Sequence, residues 1–302
     1  LSVDPVRGRI AFPTGITPLS LEVSYTYGFS GEIGAGPYDR TNWLSSPALG
    51  PGPFNNSKRA FQVGVSQELA LVAGTIFRTL TDAVQAWNAQ PTGTDGIIAI
   101  LDSRTYAENL SGTNQIVIPD GSRLLIVAAD WPAQREAAGD PSRNLDPNGL
   151  RPHLLGDLAV QGTAPSTSEV PSALYIDGLL IEGDLNVLHG NLGTLGLSHS
   201  TIAATGNLQV GPPVTGGDND GLTINLYRTI CGPITLNQDV PALNTADSII
   251  TSGPDSGHSA AAITAPGAIL SIQTTTVFGT TAGRIINAGN SIFTGVVTAQ
   301  RQ

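Results

Sequence analysis

Short apolar phrases recur along the second two-thirds of this chain. "LYIDGLLIEG" places Leu174, Ile176, Leu179 and Ile181 at offsets 0, +2, +5 and +7. "LGLSHSTIAA" repeats the spacing with Leu195, Leu197, Ser200 and Ile202, and "LSIQTTTVFG" with Leu270, Ile272, Thr275 and Val277. Further starts fall at Ile98, Leu124, Leu243 and Ile286, with a weaker copy at Leu222. Offsets 0 and +2 share one face of a strand, whereas the step to +5 changes parity. A bend is therefore expected between them.

The later starts, at 174, 195, 222, 243 and 270, are 21 to 27 residues apart. A period of that size marks stacked units. The pattern predicts a parallel β-helix over residues 61–302, one coil per phrase, with inward side chains filed in columns. Gly183, Gly206, Gly232, Gly279 and Gly295 recur near the strand ends, where corners favour positive φ. A β-sandwich with evenly spaced strands is the competing architecture, but sandwich strands alternate over longer runs.

The period changes twice before the repeat. "LEVSYTYGFSG" alternates from Leu21 to Phe29 and reads as a strand of a small β module over residues 1–60. "ALGPGPFNNS" then reads as a linker. In "TLTDAVQAWNAQ", Leu80, Val84 and Trp87 stand at helical spacing, with Thr79 or Thr81 as cap. A short helix over about 79–89 is expected to plug one end of the coil.

Composition narrows the function. The formal net charge is −10, and Lys58 is the single lysine. Binding phosphate backbones needs Lys and Arg to displace counterions, so nucleic acid and anionic membranes are excluded as partners. No apolar run approaches the roughly 18 residues of a membrane span. Only 13% of residues are charged, about half of the usual 25% or so. The lone cysteine, Cys231 in "RTICGPITL", reads as a packed core residue. The missing methionine points to a processed chain or a fragment.

This pattern over about residues 75–300 resembles the right-handed parallel β-helix families of pectin-degrading enzymes and phage tail-spikes. The opening "VDPVRGRIAFPTG…LEVSYTYGFSGEIGAGPYDR" is similar to bacterial proteins of phage-tail-like and contractile-injection particles. Those resemblances imply an all-β, right-handed solenoid. They also imply an extracellular or particle-associated structural role, with self-association into trimers or filaments. Other particle proteins or surface glycans would be further partners. They supply no catalytic residue.

Sugar cleavage on such a scaffold would need converging carboxylates. "GGDNDG" offers Asp218 and Asp220, and "GPDSGH" offers Asp255 and His258; both stretches also read as solvated corners. Neither adjacent aspartates, a Gly-His-Gly nor an Arg-x-Lys stands intact. Calcium could be met weakly by Asp218 and Asp220, or by the alternating Glu182 and Asp184, but Thr229 occupies the twelfth loop position where a bidentate Glu belongs. After Tyr175 the aromatic residues are Tyr227, Phe278 and Phe293, too few for a long polysaccharide groove. A threonine-built surface-binding face fails because "TTT" at 274–276 does not recur as a ladder.

Interface candidates lie elsewhere. "GPYDR" offers Tyr38 and Arg40 as anchors, or else a turn with a local Asp39–Arg40 pair. The charged excursion from Ala129 to His153 carries Arg135, Arg143 and Arg151. Stacked strands leave open edges at each end. With one helix available as a cap, the far end is expected to meet more chain or another copy. The expectation is thus a non-enzymatic structural and binding protein, with a polysaccharide-active enzyme as the alternative.

Overall fold

A computed structural model describes residues 2–4, 9–15, 31–44, 61–130, 145–168, 172–212, 218–254, 256 and 259–300. The chain forms two compact units, Leu1–Ser30 and Gly31–Gln302. The first contains an antiparallel pair, Ser2–Asp4 with Arg9–Ala11. The expected strand over 21–29 lies outside the described residues.

The second unit is an all-β parallel solenoid. Each rung carries up to three strands, and each strand pairs in parallel with its counterpart one rung away. The first column runs through Asp95–Ile100, Arg123–Ala128, Ala173–Asp177, Thr194–Ser198, Thr223–Tyr227 and Ala242–Ala246. It continues through the latter parts of Ala261–Gln273 and Thr280–Gly289. A second column runs from Thr105–Tyr106 to Ile292–Phe293, and a third from Ile116–Ile118 to Val297–Ala299. Parallel pairing throughout rules out the sandwich.

Register bears out the phrase at most rungs. Leu124, Leu174 and Leu195 stand beside one another, as do Leu243 and Leu270, then Ile286. Two starts need correction. Ile224, not Leu222, aligns with Leu195, and Gly96, not Ile98, aligns with Leu124. Both slips are by two residues, so the inward parity survived.

The bend has a repeated backbone form. The +4 residue is left-handed in rung after rung: Gly178 (φ 80°), His199 (46°), Arg228 (47°), Asp247 (50°), Thr274 (49°) and Asn290 (49°). Such a φ disfavours side chains, β-branched ones most. The +5 hydroxyl offsets that cost. Ser200, Thr229, Ser248, Thr275 and Ser291 each donate to the carbonyl two residues earlier, at 2.7–3.1 Å. Ser200, Ser248 and Ser291 also accept the corner N–H of the preceding rung. Small polar residues thus occupy inward slots because they tie successive corners together.

The glycines act otherwise than expected. Gly183, Gly206 and Gly232 do not have left-handed φ; only Gly279 of that set does. They form a stack with Gly156 in which a Cβ would approach the carbonyl below to 2.3, 2.1 and 2.0 Å. Contact between rungs, rather than turn geometry, requires them.

The expected plug is α2 (Leu80–Asn88), after the single turn α1 (Thr41–Leu44). Thr79 is its cap, accepting from the Asp82 N–H, while the Glu108 carboxylate takes the N–H groups of Leu80 and Thr81. Leu80, Ala83, Val84 and Trp87 are buried in the coil's core. The Trp87 ring lies over Gly96, and its indole N–H donates to Val117 O at 2.8 Å.

Candidate functional site

The outward face of the first column changes character along the stack. One outward row reads Ile97, Leu125, Tyr175, Gly196, Asn225, Asn244, Ser271 and Asn287 in register. The apolar start of this row is covered. Ile97, Leu125 and Tyr175 are buried in a second cluster with Ala99, Val127 and Leu44. The sequence carries that signal: "IIAIL" and "LLIVAA" are continuous apolar runs, which mark strands buried on both faces. "TINLY" and "ALNTA" alternate, and their outer faces are open.

The cover includes a strap, residues 31–44. Gly34 N donates to Arg228 O at 2.7 Å, and Ala35 N to Thr201 Oγ1 at 2.9 Å. Asp39 accepts from the Thr41 N–H and hydroxyl, starting α1. Arg40 reaches inward: Nε donates to Asp177 Oδ1 at 2.7 Å, and the two terminal nitrogens to Gly36 O and Ala128 O. Arg40 is 1% exposed and Asp177 0%. For Arg40 this corrects both readings of "GPYDR". Arg40 does not pair locally with Asp39, and it presents nothing to another molecule, because its charge is spent inside the chain. Tyr38 likewise donates to Gly34 O, and burial raises its hydroxyl above the ordinary range.

Asp177 is the centre of this network. Burial alone would raise its carboxyl, but the His199 hydrogen bond, the Arg40 charge and the Ser198 hydroxyl together hold it below the usual carboxylate range. His199 is 3% exposed, with Nδ1 at 3.2 Å from Asp177 Oδ2. Its ring sits edge-on to Tyr38, Trp43 and Tyr227, with centroids 5.5–5.7 Å away. Trp43 stacks on Tyr227 at 4.0 Å and 13°.

Where the strap ends, a groove of about 280 Å³ opens on the outer face. Trp43, Tyr175 and Tyr227 wall it, and Asn225, Asn244, Ser271 and Gln273 lie along it. Gly196 creates room between Tyr175 and Asn225, since a Cβ there would meet the Tyr175 ring at 2.6 Å. Sequence reasoning missed this site because Trp43, which closes it against Tyr175 and Tyr227, arrives from 132 residues before Tyr175.

The candidate carboxylates do not join it. Asp218 and Asp220 flank Asn219, which is 1% exposed in a left-handed turn. Asn219 accepts from Leu192 N and donates to Leu188 O, so "DNDG" is a corner fastened to the preceding rung. Asp255 and His258 lie outside the described residues, as do Arg135 and Arg143. Arg151 is exposed, and its backbone N–H bonds Ser103. The Ala129–His153 excursion is clasped at its base by paired hydrogen bonds between Asp130 and Asp146.

Asp184 accepts from Asn207 as a corner fastening, and Glu182 lies 3.2 Å from His153. Among the described residues, no three His, Cys, Asp or Glu side chains are grouped to hold a metal ion. Cys231 is fully buried, which pushes its thiol up to about 12, away from nucleophilic reactivity. No described helix is long and apolar enough to cross a membrane.

No family model, curated protein or solved structure matches this chain.

Proposed function

We propose that the chain is a non-enzymatic structural and binding protein, a β-solenoid shaft whose outer face takes a ligand. The groove beside Trp43 carries this reading. Its walls rest on buried, hydrogen-bonded supports, so its shape does not wait for a ligand to organise it, and preorganisation of that kind favours binding. No carboxylate or histidine lines it. A setting on the outside of a cell or a phage-tail-like particle rests on resemblance of sequence pattern.

Self-association is a second element, favoured by exposed apolar residues on the last rung. Ile285, Ile292, Val296 and Val297 are 44, 62, 69 and 44% exposed. They lie on three strand columns, and large apolar side chains left exposed at the end of a stack are surface that a second copy could cover. Electron microscopy of the purified chain should show trimers or filaments, and Ile292→Arg with Val296→Arg should disperse them.

The alternative, a polysaccharide-active hydrolase or lyase, is decided by assay. Acidic polysaccharide incubated with the protein should yield no cleavage products. A turnover abolished by Asp218→Asn or Asp220→Asn would replace the binding reading with an enzymatic one.

A further inference from the structure

We infer that the groove beside Trp43 binds a short neutral oligosaccharide. This rests on the binding reading above and gives that site its ligand class.

Charge comes first. None of the residues lining the groove is Asp, Glu, Lys or Arg. An ionic ligand would lose hydration there without meeting a counter-charge, which is costly. A phosphate or uronate chain is therefore a poor occupant, and a neutral one is favoured.

The floor supplies the second argument. Asn225, Asn244 and Ser271 are consecutive in one outward row, spaced by roughly 4.8 Å per rung. Asn244 Nδ2 donates to Asn225 Oδ1 at 2.9 Å. That bond orients both amides and directs Asn225 Nδ2 and Asn244 Oδ1 to other partners. Donors and acceptors then alternate with the Ser271 hydroxyl. Sugar hydroxyls, each both donor and acceptor, complement such a row.

The wall supplies the third. Trp43 Nε1 is buried and has no hydrogen-bond partner among the described residues. A buried donor left unpaired costs about 1–3 kcal/mol, so the wall gains from a rearrangement on binding that brings an oxygen to it. Trp43 and Tyr227, half-buried and stacked on one another, give the groove an apolar side for the C–H faces of a pyranose, with the buried Tyr175 ring at its edge. A proline-rich peptide would want successive aromatic ridges. Here the row beyond Gly196 is Asn225, Asn244, Ser271 and Asn287. At about 280 Å³ the groove is at the small end for ligand sites, suited to one or two sugar rings rather than a polymer.

Isothermal titration calorimetry on the full chain tests this with maltose, cellobiose, lactose and chitobiose. Digalacturonate and a proline-rich peptide serve as charged and peptide probes. At least one neutral disaccharide should bind at one site per chain. Asn225→Asp, which keeps the side chain's shape and still accepts from Asn244, should weaken it at least tenfold without moving Tm; Asn244→Asp should weaken it likewise, with a small fall in Tm from the lost bond to Asn225. Silence from all four disaccharides at millimolar concentration would overturn the inference, as would affinity unchanged in both variants. Digalacturonate or the peptide binding in place of the sugars, and responding to Asn244→Asp, would overturn the ligand class and leave the binding reading standing. Cleavage that depends on Asp218 or Asp220 would instead remove the binding reading itself.

Discussion

Arg40 and Asp177, 137 positions apart in the chain, meet at 2.7 Å with both side chains shut off from solvent. The pair fixes residues 31–44 on the outer face of the coil and with them Trp43, one wall of the groove. A buried pair of this kind adds little net stability when compared with an apolar replacement, but removing one partner strands the other.

Arg40→Ala should therefore lower unfolding free energy by about 3 kcal/mol, read from urea or guanidinium titrations. The strap should become sensitive to protease in the folded protein. Arg40→Met with Asp177→Leu should recover much of the loss. Equal stability of wild type and Arg40→Ala would place the strap elsewhere.

Acid should loosen the fold through two carboxylates. Asp177 is held below its ordinary value of 3.8 for the reasons given above. Asp102 is too: burial pushes it up, but hydrogen bonds from Ser66, Tyr106 and the backbone N–H groups of Arg104 and Gln67 bring it down. A carboxyl depressed in the folded state stabilises above its unfolded value, and that contribution fades as pH falls through the folded one. Stability should thus hold level at neutral pH and drop below about pH 4. Asp177→Asn and Asp102→Asn should each flatten that drop, measured by Tm against pH.

At the corners, backbone strain is open to relief. Thr274 is a β-branched residue at φ 49°. Thr274→Gly should raise stability by about 1 kcal/mol, because glycine enters that region freely. Gly178→Ala should do the opposite and more, since φ is 80° and a Cβ would meet the Arg40 guanidinium at 2.4 Å.

The glycine stack should tolerate nothing larger. A Cβ on Gly206 would sit 2.1 Å from Gly183 O, a backbone atom that cannot swing aside. Gly206→Ala should cost more than about 3 kcal/mol or prevent folding, placing it in the exceptional range for a single change. Gly221→Ala, where a Cβ meets open space, is the control and should be silent in the same thermal melts.

Much of the coil was legible because inward positions obey two constraints at once, parity along a strand and a fixed offset across a corner. Leu174, Leu195, Leu243, Leu270 and Ile286 satisfied both. At Leu222 the preceding loop lengthens the rung, and the pattern alone could not say that Ile224 takes the inward place. The helix was legible from Thr79 and the Leu80–Val84–Trp87 spacing. The site was not. Nothing local in "DRTNW" tells Arg40 to seek Asp177 or Trp43 to stack on Tyr227, since those partnerships depend on the coil being assembled first. The alternation in "TINLY" and "ALNTA" did indicate an open outer face, which is where the groove lies. Asp218 and Asp220 read in the sequence both as a corner and as a carboxylate pair, because Asp, Asn and Gly serve corners as readily as chemistry; the bonds of Asn219 show the corner.

The groove, the strap and the amide row all require that the outward rows climb one rung per phrase. Spin labels placed at Thr194 and then at Ala242, Ile269 or Ile285, in a chain with Cys231 replaced, measure this by double electron–electron resonance. Registers put those partners two, three and four rungs from Thr194. The separation should grow by roughly 4.8 Å at each step, apart from a constant label offset. Distances that fail to increase in that order, or that jump by the thickness of two facing sheets, would contradict the solenoid and everything built on its outer face.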